Sequence, residues 1–255
     1  MTTPTSAGEL LQLVRTGQAS TRKALLERSG LSRSTLTARL EQLQTAGLLA
    51  EGGQEDSTGG RPARQLCFDD RHAVVLAASI DTTHAEAAVT DLAGRVLARR
   101  AGAVRVADGP EPVLDRIAEW FEALRAEAAR PVCGVGVSVP GPVEPGRARV
   151  TQPPIMPGWD GYPIDAHLGA RFGAPVLVDN DANLMALGEH RARHPESAAL
   201  VVVKVSTGIG AGLVLGGEVY RGIDGGAGDI GHIRLPDHPE ARCPCGSLGC
   251  LAAVA

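Results

Sequence analysis

The sequence predicts an α/β protein in two parts, a small helical domain over residues 1–68 and a larger domain with a β-sheet over residues 72–255. Two observations predict this organisation. Leucines recur at helical spacing near the N-terminus, whereas from residue 72 onwards apolar runs of strand length alternate with helical patterns. A chain of 255 residues is long enough to bury a separate core in each domain.

Three helices are predicted in the first domain, over residues 8–16, 22–29 and 33–45. Gly30 ends the second helix and Ser32 caps the third, so a short turn joins the two. This is the helix-turn-helix pattern, in which exposed side chains of the later helix contact phosphates and base edges in a major groove. The candidates for these contacts are Arg33, Ser34, Thr35, Thr37 and Arg39.

A hairpin is predicted after the third helix, with a polar, glycine-rich tip over residues 51–60 and a return strand over residues 65–68. Arg61 precedes a rigid proline and resembles an arm that fits a narrow minor groove, and Arg64 ends the same segment. The helices and hairpin together indicate a winged helix-turn-helix domain whose partner is double-stranded operator DNA. The alternative is a three-helix protein-interaction module with an unstructured loop.

Charge is unevenly divided between the two parts. Residues 1–66 contain eight Arg and Lys and six Asp and Glu, whereas the whole chain has a formal net charge of −4. A mildly basic domain on an acidic body favours DNA binding. No apolar stretch approaches the length of a membrane span and the polar N-terminus is no signal peptide, so we expect a cytoplasmic protein without a membrane partner.

The second domain is predicted to contain six strands and two long helices. The expected strands are residues 73–80, 85–90, 95–100, 132–139, 174–178 and 199–205, and the expected helices are residues 111–129 and 182–193. The last two strands are apolar enough to be expected inside the protein. Cys67 and Cys133 also lie in apolar strands, and we expect both to be core residues.

Three cysteines and one histidine are concentrated near the end of the chain. The run Cys243-Pro-Cys245-Gly-Ser-Leu-Gly-Cys250 begins eleven residues after His232. Three thiols and an imidazole are a full ligand set for a tetrahedral structural zinc ion, and the two glycines suit a tight knuckle around it. Five cysteines, an odd number with three clustered, favour such a site over a disulfide framework.

Five motifs in one order resemble the ROK family, which groups bacterial repressors and sugar kinases. They are Val-Pro-Gly-Pro-Val (139–143), Val-Asp-Asn-Asp-Ala-Asn (178–183), Ser-Thr-Gly-Ile-Gly-Ala-Gly (206–212), Asp-Ile-Gly-His (229–232) and the cysteine knuckle. The resemblance implies an actin-like fold for the body, of the sugar-kinase and ribonuclease H-like type. With a winged helix in front, it implies the transcriptional-regulator branch of the family.

The resemblance also implies roles for particular residues. In the family, the residue at Asn180 binds a sugar hydroxyl and the residue at Asp181 is the kinase's base toward the hydroxyl that is phosphorylated. Asp229 stands where the family usually has Glu, and His232 is expected to place one ring nitrogen on zinc and the other toward the sugar. Glu189 is a further candidate. The alternative for Asn180 and Asp181 is a helix N-cap without a ligand.

The turn after the first strand of the body argues against catalysis. Family kinases carry an Asp-x-Gly-Gly-Thr hairpin that lets the backbone approach nucleotide phosphate, but here Asp81 is followed by Thr82-Thr83-His84. Because phosphoryl transfer depends on positioning and charge stabilisation, we expect a non-catalytic sugar-binding cleft and no enzyme activity. The glycine-rich segment 206–212 approaches phosphate in kinase relatives, although tight turns need the same residues.

The sequence hypothesis is therefore a regulator, with repression as the expected direction, of carbohydrate genes that responds to a sugar or sugar phosphate. The family's second lobe continues beyond the knuckle and builds the dimer interface, so we expect an incomplete lobe here and a homodimer when the C-terminal part is present. Ala252 also replaces a glutamate that touches the sugar in the family. The alternatives are a ROK sugar kinase and a DNA-binding remnant that senses nothing.

Overall fold

The computed structural model describes residues 6–54 and 64–255. Within these ranges the chain divides into two compact units. One contains the residues up to Ala73 together with Asp91–Ala93, and the other contains the rest. No helix in the described part is long and apolar enough to cross a membrane.

The first unit consists of three helices and a two-stranded antiparallel sheet. The elements are α1 (Ala7–Arg15), α2 (Arg22–Ser29), α3 (Arg33–Thr45), β1 (Leu49–Gln54) and β2 (Arg64–Phe68). The hydroxyls of Thr21 and Ser32 accept backbone N–H groups in the first turns of α2 and α3, and Gly30 ends α2 in the left-handed conformation at φ 62°. These caps fix where each helix begins and ends.

A separate leucine-rich core holds the first unit together. Leu10, Leu25 and Leu40 are fully buried, one from each helix, and Leu66 of β2 packs with them. Each side chain of this size contributes about 1.5 to 3 kcal/mol when it leaves water. The helical leucine spacing in the sequence therefore corresponds to one contiguous core.

The second unit is built on a five-stranded mixed sheet. Its elements are β3 (Val74–Ile80), β4 (His84–Asp91), β5 (Val96–Ala103), α4 (Pro110–Ala128), β6 (Val132–Val139), β7 (Val143–Glu144), β8 (Arg149–Val150), α5 (Ile164–Phe172) and β9 (Val176–Asn180). The strand order is β5-β4-β3-β6-β9, and β6 pairs in parallel with both β3 and β9. Helices α4 and α5 pack against the sheet and close its core, with Phe121 and Trp159 fully buried.

A second, antiparallel sheet follows the first. Helix α6 (Asp181–Arg193) leads into β10 (Ala199–Val205), β11 (Ile209–Leu215) and β12 (Glu218–Val219), which pair in that order. Helix α6 packs closely on β11, since a Cβ atom at Gly212 would lie 2.6 Å from that of Ala186. Glycine at 212 thus permits this close approach of helix and strand.

The structure corrects the expected burial of several strand residues. Val201, Val203 and Val205 are more than half exposed on one face of β10, and Leu177 of β9 is 77% exposed. Successive strand residues point to opposite faces, and α6 covers one face of β10. For the same reason Cys67 and Cys133, expected in the core, are exposed on their strands. Helix α5 and strand β11 were not predicted.

Candidate functional site

A cleft of about 470 Å³ opens where three parallel strands end. The residues that follow β3, β6 and β9 all line it, and the other wall comes from residues 204–211 and 225–232. Its polar lining includes Asp81, Thr82, Asn180, Asp181, Lys204, Thr207, Asp229 and His232. Ligands bind α/β proteins beyond the carboxyl ends of parallel strands, and this volume is within the usual range of ligand pockets.

Asn180 caps α6 from within the cleft. Its side-chain oxygen accepts the backbone N–H groups of Ala182 and Asn183, at 2.9 and 3.2 Å, and its amide nitrogen donates to the Gly141 carbonyl at 3.1 Å. The N-cap alternative from the sequence is therefore present in the structure. Asn180 also lines the cleft, so capping and cleft exposure occur together.

Asp181 lies at the first position of α6 and forms an ion pair that the sequence analysis missed. The Lys204 Nζ atom lies 2.6 Å from Asp181 Oδ2 and 3.7 Å from Asp81 Oδ2. Both partners are largely buried, with 18% of the Lys204 side chain and 13% of the Asp181 side chain exposed. A lysine inside the apolar run Val-Val-Val-Lys-Val was the available signal, because a buried ammonium needs a counter-charge.

Asp81 is held in a short turn between β3 and β4. Its Oδ1 atom accepts the Thr82 N–H at 2.7 Å and the Thr207 hydroxyl at 3.3 Å. Burial alone would raise the pKa of Asp81, but the Thr82 amide, the Lys204 charge and the hydroxyls of Thr207 and Thr82 outweigh it, so the pKa lies below its usual value. Asp81 is therefore an anion at neutral pH.

The glycine-rich segment 206–212 divides into a turn and a strand. The backbone N–H of Ser206 bonds to the Gly208 carbonyl, and β11 begins at Ile209. A Cβ atom at Gly208 would meet open space, whereas one at Gly212 would collide with α6. The strand glycine is thus explained by helix packing, and Gly208 faces the cleft.

A second ion pair, between Arg221 and the largely buried Asp179 near the end of β9, was also not predicted. The Arg221 guanidinium donates to Asp179 Oδ2 through Nε at 2.9 Å and through Nη2 at 2.6 Å. Asp179 also accepts the Asn183 side-chain amide at 3.0 Å. Asn183 thus links the first turn of α6 to the end of β9.

Asp229 and His232 lie together on the wall opposite Asp181. The His232 Nε2 atom is 3.8 Å from Asp229 Oδ1, and both side chains are partly exposed to the cleft. Glu189, in contrast, is outside the cleft lining and forms its ion pairs with Arg193 and His194 on α6 and just beyond it. Glu189 thus lies away from the cleft, whereas Asp229 lines it, and the sugar contact of Asp229 stays a prediction.

Four candidate metal ligands converge beside this wall. The ligand atoms of His232, Cys243, Cys245 and Cys250 all lie within 4.8 Å of one another. The His232 Nδ1 atom is 3.7 Å from the Cys243 Sγ atom, and the Sγ atoms of Cys245 and Cys250 are 3.8 Å apart. Donors around a tetrahedral zinc ion are about 3.5 to 3.8 Å apart, so this cluster could hold one metal ion.

The surroundings of two of these thiols shift their pKa values in opposite directions. A backbone hydrogen bond from Ser247 lowers the pKa of Cys245 to about 6, whereas burial raises the pKa of Cys250 to about 11. Gly246 and Gly249 adopt left-handed φ values of 88° and 76°, which bend the chain back on the cluster. A metal ion that binds here must release the proton of Cys250.

The expected DNA-binding residues lie in the first unit at the start of α3. Arg33, Ser34 and Thr37 are exposed, and Thr35 and Arg39 are half-buried. The hydroxyls of Ser34 and Thr35 are already within 2.9 Å of the Ser32 hydroxyl. Both hydroxyls therefore belong to the hydrogen-bonded group around the cap of α3.

Two further arginines were assigned to DNA from the sequence. Arg64, at the start of β2, is exposed and forms an ion pair with Glu51 of β1. Arg61 lies outside the described residues. Arg64 thus already has an acidic partner in the protein.

Known proteins match this chain along most of its length. The ROK family profile matches residues 75–255. A putative xylose repressor of Caldicellulosiruptor sp. (strain Rt8B.4) is 32% identical over 225 residues, which cover 87% of this chain and 56% of that protein. The chain therefore spans little more than half the length of that curated relative.

Solved structures of ROK family proteins also match this chain. The crystal structure of a ROK family transcriptional regulator, a homologue of the E. coli MLC protein, matches with a TM-score of 0.82 and 27% identity over 98% of this chain and 63% of that one. The ROK hexokinase of Thermus thermophilus matches with a TM-score of 0.60 and 36% identity over 71% of this chain and 60% of that one. The α/β fold, the motifs and the family profile agree, and the chain belongs to the ROK family.

Proposed function

We propose that this protein is a DNA-binding transcriptional repressor whose affinity for its operator is controlled by a sugar or sugar phosphate. One observation carries the proposal. The likeness to the solved regulator extends over 98% of the chain, whereas the likeness to the hexokinase covers 71%. The additional share corresponds in size to the N-terminal unit, which a sugar kinase does not need.

In this proposal residues 1–68 form a winged helix-turn-helix domain, and residues 72–255 form the sensor. Helix α3 enters the major groove with Arg33 and Thr37 foremost, since both are exposed. Strands β1 and β2 flank the proposed wing, and Arg61 is the proposed minor-groove contact. The operator-binding form is a homodimer, because helix-turn-helix proteins bind paired half-sites.

The effector occupies the cleft between the strand ends and the Asp229–His232 wall. Asp181 accepts a sugar hydroxyl, and Asn180, Asp229 and His232 complete the polar contacts. The donor set supports a structural zinc ion on His232, Cys243, Cys245 and Cys250. Zinc would fix the His232 ring so that its Nε2 atom stays turned toward Asp229 and the sugar.

The cleft binds its sugar without phosphorylating it. Thr83 and His84 provide side chains at the two positions where the family kinases have glycines, and phosphoryl transfer tolerates little misplacement. The Lys204 ammonium also lies 2.6 Å from Asp181 Oδ2, so one oxygen of that carboxylate is already engaged.

A sugar kinase is the second candidate function, and the 36% identity to a ROK hexokinase favours it. The two functions differ in one measurable reaction. Sugar-dependent ADP release by the purified protein in ATP and Mg²⁺ would establish the kinase. The regulator predicts no release above the sugar-free rate.

The experiment that tests the regulator is DNA binding by fluorescence anisotropy. The purified protein is titrated onto the DNA upstream of its own gene and onto a scrambled duplex of equal length. We expect tighter binding to the upstream DNA and a strong fall in affinity with salt, because phosphate contacts release counterions. Equal affinity for both duplexes at every salt concentration would contradict the proposal.

A further inference from the structure

Lys204 is an unusual residue for its position. It lies in β10 among valines, yet its side chain points to the covered face of the strand and into the cleft. Among the described residues that line the cleft, it carries the one ammonium or guanidinium group. Its charge is therefore the main local compensation for the carboxylates around it.

Two carboxylates face this ammonium in the same way. On Asp81, the Oδ1 atom accepts from Thr82 and Thr207, and on Asp181 the Oδ1 atom accepts the Ala182 N–H at 2.7 Å. The Oδ2 atoms of both residues remain, and both face the Lys204 Nζ atom, at 3.7 and 2.6 Å. In each carboxylate, Oδ1 is thus hydrogen-bonded within the protein, and Oδ2 faces the position that the Lys204 Nζ atom occupies.

The position between the two Oδ2 atoms favours a cation. Two converging carboxylates repel one another, and the repulsion grows as burial lowers the effective dielectric constant. Carboxylate oxygens that converge from separate elements are also the ligands that Mg²⁺ prefers in proteins. A lysine ammonium is a compact point charge on a flexible stem, so it can occupy the same position.

We propose that Lys204 is a tethered cation that takes the place of a divalent metal ion between Asp81 and Asp181. The cleft then binds its sugar without a metal ion and has no position for the metal of a metal–phosphate complex. Lys204 is in this sense a specificity-determining residue that selects against nucleotides. The inference deepens the non-catalytic part of the proposed function, and its test does not involve DNA.

The test measures Mn²⁺ binding by electron paramagnetic resonance on protein purified with zinc, so that the Cys/His cluster is filled. Lys204→Met should gain one saturable Mn²⁺ site at least about tenfold tighter than any site in the wild type. Lys204→Arg keeps the cation and should gain no site. Adding Asp81→Asn to Lys204→Met should remove the gained site, which locates it in the cleft.

Two results would overturn the proposal. One is a Lys204→Met protein that binds Mn²⁺ no better than the wild type, and the other is a wild-type site that Asp81→Asn removes. Lys204→Gln serves as a second variant that keeps a hydrogen-bond donor, should Lys204→Met fail to fold. Mg²⁺ should raise the Tm of the metal-binding variant but leave that of the wild type unchanged, because a ligand stabilises the state that binds it.

Discussion

At the residue scale, Asn180 and Asp181 differ in how much hydrogen-bonding capacity remains for a ligand. The Asn180 oxygen already accepts two backbone N–H groups, and its nitrogen already donates to Gly141. Asp181 accepts one backbone N–H and one ammonium, whereas an ionised carboxylate offers about four acceptor positions. Asp181 is therefore the residue with more capacity left for a sugar hydroxyl.

If the four-ligand cluster binds zinc, replacing one of its cysteines should lower both the zinc content and the thermal stability. Cys245→Ser should lower the bound zinc of the purified protein well below one equivalent and lower its Tm by several degrees, because a structural metal contributes folding free energy. Metal analysis and thermal unfolding measure both effects. Cys133→Ser is the matched control, since that thiol is exposed and outside the cluster. Equal zinc content in the two variants would show that the cluster does not hold zinc.

The lowered pKa of Asp81 predicts a pH dependence with a definite sign. A carboxyl group whose pKa is lower in the folded state stabilises the protein above its unfolded pKa of about 3.9, and this stabilisation is lost as the pH falls through the folded pKa. Asp81→Asn should therefore cost stability at pH 6 and progressively less below pH 4. Urea unfolding at several pH values checks this, and a constant cost down to pH 2.5 would disagree with it.

At the scale of elements, the proposed function assigns the operator contact to α3. Arg33→Ala should weaken binding to the upstream DNA by about tenfold and reduce the magnitude of the salt slope by about 1, because one cationic contact is lost. Arg15→Ala, on the exposed end of α1, is the control for charge alone. An equal loss for the two variants would mean that α3 does not contact the operator.

The contact between β11 and α6 gives a prediction about packing. Gly212→Ala would place a methyl group against Ala182 and Ala186, so it should destabilise the body by about 1 to 3 kcal/mol. Gly208→Ala meets open space and should leave the thermal stability nearly unchanged. Calorimetry of both variants measures the difference. A Gly212→Ala protein as stable as the wild type would imply that α6 can move away from β11.

Helices and strands with a regular hydrophobic periodicity were predicted well from the sequence. The ion-pair partners that are distant in sequence were not. The boundaries of α3, β6 and β10 agree with the structure because their patterns are regular. Strand β11 was missed because its glycines resemble a loop, although Gly212 is required by the nearby helix. The partners of Lys204 and Arg221 are distant in sequence, so no local pattern shows them.

At the scale of the whole molecule, a sugar-responsive repressor requires that sugar binding and DNA binding be coupled. A ligand can shift DNA binding only through different affinities for two states of the protein, and the coupling must be reciprocal. The cleft and α3 belong to different compact units, so the coupling is a property of the whole chain and not of either unit.

This coupling is measured by the ratio of the DNA dissociation constants with and without saturating sugar. It is measured by anisotropy on the upstream DNA over a panel of pentoses, hexoses and their phosphates. We expect one sugar to weaken DNA binding about fivefold or more in the wild type. Asp181→Asn should lose this response and keep its sugar-free DNA affinity, whereas Glu189→Gln, outside the cleft, should respond like the wild type. A ratio of one for every sugar, with specific DNA binding intact, would contradict a sugar-responsive repressor.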